Sequence, residues 1–237
     1  MRPWTQRPFL SIDCETTGVN PFEDRLVEVA ATIVRPDGAL DLQWSTVVNP
    51  GIDIPDSAAE IHGITTERAL AEGIPTLDAV QRVAELIFDF AYGTEGMPVC
   101  IYNAVFDWPL LICEAERHGL EFPAFAPILD PLLIDKMVDR YRKGSRKLVD
   151  TARHYGVQLD VDDAHGALAD AVASGRIMHE LLRRYPKVGE HTLADVYMRQ
   201  VRGAEEQRES FVDYRRRTSD PSFDKPPGWP VPAGVSA

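Results

Sequence analysis

Cysteine is scarce in this chain of 237 residues. Cys14, Cys100 and Cys113 are odd in number and scattered, without the close spacing of a zinc knuckle or a redox pair, so free thiols and a reducing compartment are expected. Long apolar runs are missing as well. None approaches the ~18–20 residues that span a bilayer, and Met1 to Gln6 leads almost directly into Asp13, so neither a membrane span nor a signal peptide is expected and the chain reads as cytoplasmic. Positive charge is the third shortage. There are 25 Lys and Arg against 37 Asp and Glu, a net charge of −12, which argues against a backbone-wide grip on duplex nucleic acid. The cations that do occur crowd together. Lys136, Arg140, Arg142, Lys143, Arg146 and Lys147 share one stretch with only Asp135 and Asp139 opposing them; this is either a solvated helix end and loop or a phosphate-contacting patch. There is no internal repeat.

With 44% apolar residues, the chain can bury one sizeable core and carry an extension. Phe9 to Glu15 alternates, with Leu10, Ile12 and Cys14 on one face and Phe9, Ser11, Asp13 and Glu15 on the other, as in a strand. Arg25 to Arg35 and Leu40 to Val48, separated by the turn sequence Pro36-Asp37-Gly38, predict an antiparallel hairpin. Ser57 and Glu60 have capping-box spacing at the head of a helical stretch, and Leu77, Val80, Ala84, Ile87 and Ala91 mark a second amphipathic helix. Val99 to Tyr102 suits a short buried strand, followed by a helix from about Phe106 to His118 in which Pro109 fits only the first turn. Ile128-Leu129 predicts a last short strand, with Asp130 acting as an N-cap and not as a metal ligand, and Pro131 at the first helical position.

A long helix is expected from near Gly166 to Arg184, with Leu168, Ala171, Gly175, Met178 and Leu182 on its buried stripe. A further helix, Thr192 to about Arg217, carries Tyr197, Val201, Ala204 and Phe211 at helical spacing. From Thr218 the chain is rich in Pro and Gly and lacks periodicity, so it reads as extended or disordered, and its removal is expected to leave folding nearly unchanged. The resulting division is a catalytic domain over 1–185, a helical extension over 186–217 and a tail over 218–237.

Three short motifs carry the chemistry: Asp13-Cys14-Glu15-Thr16-Thr17-Gly18, Asn103-Ala104-Val105-Phe106-Asp107, and His165-Gly166-Ala167-Leu168-Ala169-Asp170. One pair of acids two residues apart means little in a chain this acidic. The ordered set means more: a strand with two acids, an Asn and an Asp four apart at a strand-to-helix junction, and a His five residues before an Asp that enters a helix. Four carboxylates in one pocket would repel one another strongly unless divalent cations neutralised them, and hard oxygen ligands favour Mg²⁺ or Mn²⁺.

These residues resemble the DnaQ-like, or DEDDh, 3′–5′ exonuclease family. The resemblance covers roughly Phe9 to Leu182 and extends to Glu60-Ile61-His62-Gly63-Ile64-Thr65, which is similar to the family's substrate-pocket loop. It implies an α/β ribonuclease-H-like fold, a mixed five-stranded sheet with helices on both faces, and release of nucleoside 5′-monophosphates from a 3′ end. It also implies two bound metals, with Asp13, Glu15, Asp107 and Asp170 as ligands and His165 as general base. Asp13 would bridge, Glu15 and Asp170 would serve the metal that orients water, and Asp107 the one facing the leaving group.

Thr16, Thr17, His62, Tyr102 and Asn103 are the candidate substrate-binding residues. Tyr102 is the candidate stacking platform for a terminal base, and Phe106 is assigned to the core. Tyr102 stands where family members often carry His, which leaves fine substrate preference open. The expected substrate is the single-stranded 3′ end of DNA, with RNA as the alternative, because discrimination turns on how the pocket treats a 2′-hydroxyl. A DNA polymerase subunit is a candidate partner, and a non-catalytic module that docks on a polymerase is the reading from a different class.

Overall fold

The computed structural model of the chain describes residues 3–92, 96–123, 125–159, 166–226 and 228–230. Three strands open the fold: β1 (Phe9–Thr16), β2 (Leu26–Val34) and β3 (Leu40–Asn49), paired as an antiparallel meander. Then come α1 (Asp56–His62), α2 (Thr66–Glu72), β4 (Ile74–Pro75) and α3 (Thr76–Ala91). Next are β5 (Val99–Cys100), α4 (Ala104–Arg117), β6 (Ile128–Leu129), α5 (Pro131–Val138) and α6 (Leu148–Tyr155). Two long helices follow, α7 (Ala167–Arg184) and α8 (Leu193–Thr218).

The strand order is β4-β3-β2-β1-β5-β6, with β5 parallel to β1, β6 parallel to β5 and β4 parallel to β3. The sheet is mixed, as expected, but among the described residues it has six strands where five were predicted. The extra one is the two-residue β4 at the edge, too short to show an alternating pattern. Its Pro75 lacks an amide donor and is tolerated there because an edge strand has a free side.

The alternation in β1 divides the core. Leu10, Ile12 and Cys14 pack with residues of α3 and α4 on one face of the sheet. Phe9, Cys100 and Leu129 pack with Ile177, Met178 and Leu181 of α7 on the other. Helix α7 lies unusually close to the sheet at Gly175, where an added Cβ would stand 2.5 Å from Ser11 Oγ and 2.6 Å from a Val34 methyl.

Several local expectations are corrected. Helix α1 starts at Asp56 after Pro55 with no side-chain cap, because Pro55 already sets an extended entry, so Ser57 and Glu60 form no capping box at its start. Leu77 is exposed, and the buried face of α3 runs through Ala79, Val80, Val83 and Ile87. Helix α4 begins two residues before the predicted start, which places Pro109 sixth and within the helix. Phe106 is half-buried and lies outside the core clusters. Phe211 is exposed, while Val196, Gln200 and Val212 are the buried residues of α8.

The tail also departs from expectation. It is irregular, but over its described residues it folds back on the domain. Trp229 is buried, its ring lies 5.5 Å from that of Tyr197, and its Nε1 donates to Asp130 Oδ2 at 3.1 Å. Arg208 donates to the carbonyl of Pro226 at 2.8 Å, and Phe223 packs edge-on against Phe211. Composition cannot register one aromatic anchor among prolines, yet burying one indole is enough to hold such a segment in place.

Candidate active site

Residues Asp13 and Glu15, two apart on β1, project from the same face, the face that α7 crosses. The close approach at Gly175 brings Asp170, in the first turn of α7, against them. Ligand oxygens of Asp13, Glu15 and Asp170 all lie within 4.8 Å of one another. Asp107 arrives from the first turn of α4. The Leu10 amide donates to Pro98 on the β5 side of β1, and the Cys14 amide points the same way. Strand β5 ends at Cys100, so Cys14 N–H meets the carboxylate of Asp107 instead, with Oδ1 accepting at 3.0 Å.

Charge crowding shows in the protonation equilibria. Burial, followed by the charges of Asp107, Asp170, Glu15 and Glu28, holds the Asp13 carboxyl well above its ordinary range. Burial and the charges of Asp170 and Glu28 push Glu15 up to about 8. Burial raises Asp107 to about 7 even though backbone amides, including that of Cys14, pull it down. Each shift reflects a carboxylate pressed by like charge and short of water. An oxygen-only donor set with three carboxylates this close fits a hard divalent cation of the Mg²⁺ or Mn²⁺ type.

The other predicted site residues divide. His62 is half-buried, its Nδ1 accepts from the Ile64 amide at 3.2 Å, and its imidazole is held below the usual range by burial, partly offset by the backbone of Thr16. This puts His62 beside the C-terminal end of β1, at the edge of the cluster. Thr16 is turned to its own loop, donating to the Gly18 carbonyl at 2.6 Å. Thr17 donates to Asp24 and accepts from the Arg25 amide, both at 3.0 Å. Asn103 is exposed in the left-handed region at φ 63°, with its amide donating to Asp130 Oδ1 at 3.0 Å.

Tyr102 is no stacking platform. It is buried, and its hydroxyl donates to the Arg146 carbonyl at 2.6 Å and lies in hydrogen-bond contact with Thr151 Oγ1 at 2.8 Å. His165 lies outside the described residues.

Asp130 caps, as expected, but for two helices at once. Its Oδ1 accepts from the Leu132 and Leu133 amides at the head of α5, and its oxygens also accept from Asn103 and Ala104 at the head of α4. Glu28 is the residue that motif reading missed. It lies directly opposite Glu15 across the β1–β2 pair, and its Oε2 accepts from the Ala167 amide at 3.1 Å, so a strand carboxylate caps the helix that carries Asp170. The N-cap position itself, Gly166, has no side chain to do this. No local spacing marks Glu28, because the helix it caps lies far along the chain.

A mixed sheet with an acidic cluster at the end of its central strand defines a phosphodiester-hydrolase type of site. The chain belongs to the exonuclease family designated RNase_T, whose pattern matches residues 10–178. It is 33% identical over 180 residues to an exonuclease of Escherichia phage 186, covering 71% of this chain and 85% of that one. It is 31% identical over 183 residues to a DNA polymerase III subunit epsilon-like protein of Rhodobacter capsulatus, covering 76% of this chain and 24% of the relative. The fold is ribonuclease-H-like and matches that of Escherichia coli exonuclease I in complex with a dA16 oligonucleotide. The TM-score is 0.66 at 21% identity, over 78% of this chain and 42% of that one. The chain thus spans less than half the length of the last two of these proteins.

Proposed function

We propose that the chain is a metal-dependent 3′–5′ exonuclease that hydrolyses single-stranded 3′ ends of DNA to nucleoside 5′-monophosphates. The observation that carries this reading is the convergence of Asp13, Glu15 and Asp170 within 4.8 Å, with Asp107 held at the edge of the same strand. Membership of the exonuclease family and the oligonucleotide bound by the E. coli relative support it.

Asp13, Glu15 and Asp170 would hold one cation, and Asp107, together with Asp13, a second, with Mg²⁺ or Mn²⁺ as the ions that suit oxygen donors. Such ions supply charge relief at the phosphoryl oxygens, orientation of water and stabilisation of the departing oxygen. The residues of the chain do the rest. Asp107 is fixed by the Cys14 amide, and Asp170 by a helix whose first amide, that of Ala167, is tied to Glu28. His165, from the third motif, takes the proton from water, a role that spacing to Asp170 and family resemblance support. His62 borders the terminal nucleotide.

The test is release of nucleoside monophosphate from matched DNA and RNA oligonucleotides with labelled 3′ ends, with Mg²⁺, Mn²⁺ or EDTA. Faster turnover of DNA with either ion, and none with EDTA, is expected. Equal turnover in EDTA, or turnover confined to RNA, would refute the reading as stated. His165→Ala should lose roughly 10²–10⁴-fold in rate while keeping metal-dependent binding; parallel loss of binding would reassign it.

A further inference from the structure

Two of the six cations in the basic stretch that stands out in the sequence are structural. Arg142 and Arg146 turn inward onto the buried Asp135 at 3.1 and 2.7 Å, where the Tyr155 hydroxyl also donates to that carboxylate. Two others, Lys136 and Arg140, face a groove. Lys136 in the last turn of α5 and Arg140 in the turn just beyond it form one wall, and Arg199 and Arg202, three apart on α8, form the other, around a volume of about 850 Å³. None of these four cations makes an ion pair among the described residues, and Glu206 is the one acid on the groove. Four cations without an ion pair, against one acid on the groove, in a chain of net charge −12, mark a place suited to an anion.

The groove has length and direction. Helix α8 can lie close to α5 because of Gly203, where an added Cβ would stand 2.7 Å from Met137 Sδ. From Arg199 to Tyr214 the lining runs along α8 for about 22 Å at 1.5 Å per residue. At its far end Phe211 and Tyr214 stand exposed. A second cavity of about 340 Å³ shares Lys136, Gln207 and Phe211 with the first, so it joins the groove beside Phe211, and it reaches Asn103 and Val105, at the start of the helix that supplies Asp107. A basic track with exposed aromatic faces, joined through the second cavity to the head of the helix that carries Asp107, suits a flexible polyanion whose bases can stack.

The geometry points to the groove between α5 and α8 as the track for the unpaired strand upstream of the 3′ end, with phosphates on Lys136, Arg140, Arg199 and Arg202 and bases on Phe211 or Tyr214. This rests on the proposed function and extends it, since α8 lies outside the residues that match the family. The track would make the extension part of substrate binding and would favour long single strands over short ones.

The test uses the full chain and two substrates. One is the p-nitrophenyl ester of thymidine 5′-monophosphate, which reaches only the carboxylate cluster; the other is a single strand of about 20 nucleotides, followed by anisotropy across a salt series. The fourfold variant Lys136→Ala, Arg140→Ala, Arg199→Ala, Arg202→Ala should weaken the long strand about tenfold or more. It should also flatten the slope of log K against log salt by about 3, at 0.7 per lost phosphate contact. Hydrolysis of the ester should be unchanged. Arg199→Ala with Arg202→Ala alone, both exposed on α8, should give about half the change in slope and guards against misfolding of the larger variant. Wild-type affinity and slope in both variants would overturn the track and leave the groove to an acidic protein partner. Parallel loss on both substrates, with melting unchanged, would overturn it as well. Failure of the wild-type chain to hydrolyse either substrate would instead overturn the proposed function, and the track with it.

Discussion

Asp13 sits where burial and four neighbouring carboxylates all disfavour its charged form, so the metal-free protein pays for its site in a way that depends on pH. The folded-state carboxyls of Glu15 and Asp107, raised to about 8 and about 7, bind more protons than the unfolded chain does between the ordinary carboxylate range and those values. Stability must therefore fall as pH rises through that window. In EDTA the melting temperature is expected to drop between pH 5 and pH 8.5. Asp13→Asn should flatten that drop, melt higher than the wild type at pH 8.5 and show no exonuclease activity. A wild-type melting temperature that climbs over the same range in EDTA, or an active Asp13→Asn, would contradict this.

His179 makes the opposite case. It is buried, stacked on Phe9 at 4.1 Å, and its Nε2 lies 3.1 Å from the Val34 carbonyl. Burial lowers its pKa to about 4. A histidine kept neutral in the fold contributes its full stability above the unfolded value near 6.5, and that contribution is lost as pH falls from about 6.5 through about 4. The loss amounts to about 3 kcal/mol. His179→Gln, which keeps a donor for Val34, should show a shallower decline in chemical-denaturation stability between pH 6.5 and 4; an identical decline would remove His179 from the account.

At the scale of elements, the site depends on where helices begin. Helix α7 starts at a glycine cap and relies on Glu28 across the sheet for its Ala167 amide, so the carboxylate that most needs exact placement, Asp170, is positioned by a strand. Glu28→Ala is expected to lower kcat about 10–100-fold with little change in KM, by analogy with losses on removing groups that orient ligands. Glu28→Gln, which retains an acceptor, should recover most of it. Equal losses in the two variants would mean that charge, not the cap, is what Glu28 supplies. The elements themselves were unevenly legible. The period of two in β1 announced both acids on one face, whereas β4 was too short to have a period at all. Pro109 was assigned to a first turn because a proline seldom sits deeper in a helix; helix α4 starts earlier than its apolar pattern because Asp130, just beyond β6, pairs with the amides of Asn103 and Ala104 at its head.

For the whole molecule, the tail is the part whose weight changes most. Trp229 belongs to the larger core cluster and hydrogen-bonds to the same carboxylate that caps α4 and α5. Deleting residues 218–237 is therefore expected to destabilise the domain, and Trp229→Ala alone by about 2–4 kcal/mol. Trp229→Phe should cost only about 1 kcal/mol, the worth of one hydrogen bond. Denaturant midpoints for the three proteins decide between this and a dispensable tail, which would leave all of them at the wild-type value.

By itself the sequence determined the chemistry: which acids share a strand face, which helices carry Asp107 and Asp170, and that four carboxylates gathered together call for cations. Those are local facts, written in periods of two and 3.6 and in short motifs. Tertiary structure alone decided what depends on distant segments meeting. It turned Tyr102 inward onto Thr151, split the basic stretch between Asp135 and an open groove, put Glu28 under α7 and seated Trp229 beside Asp130. The physical reason is the same in each case: a side chain's role is set by whichever partner lies within a few ångströms, and these partners are separated by 7 to 139 positions in the chain.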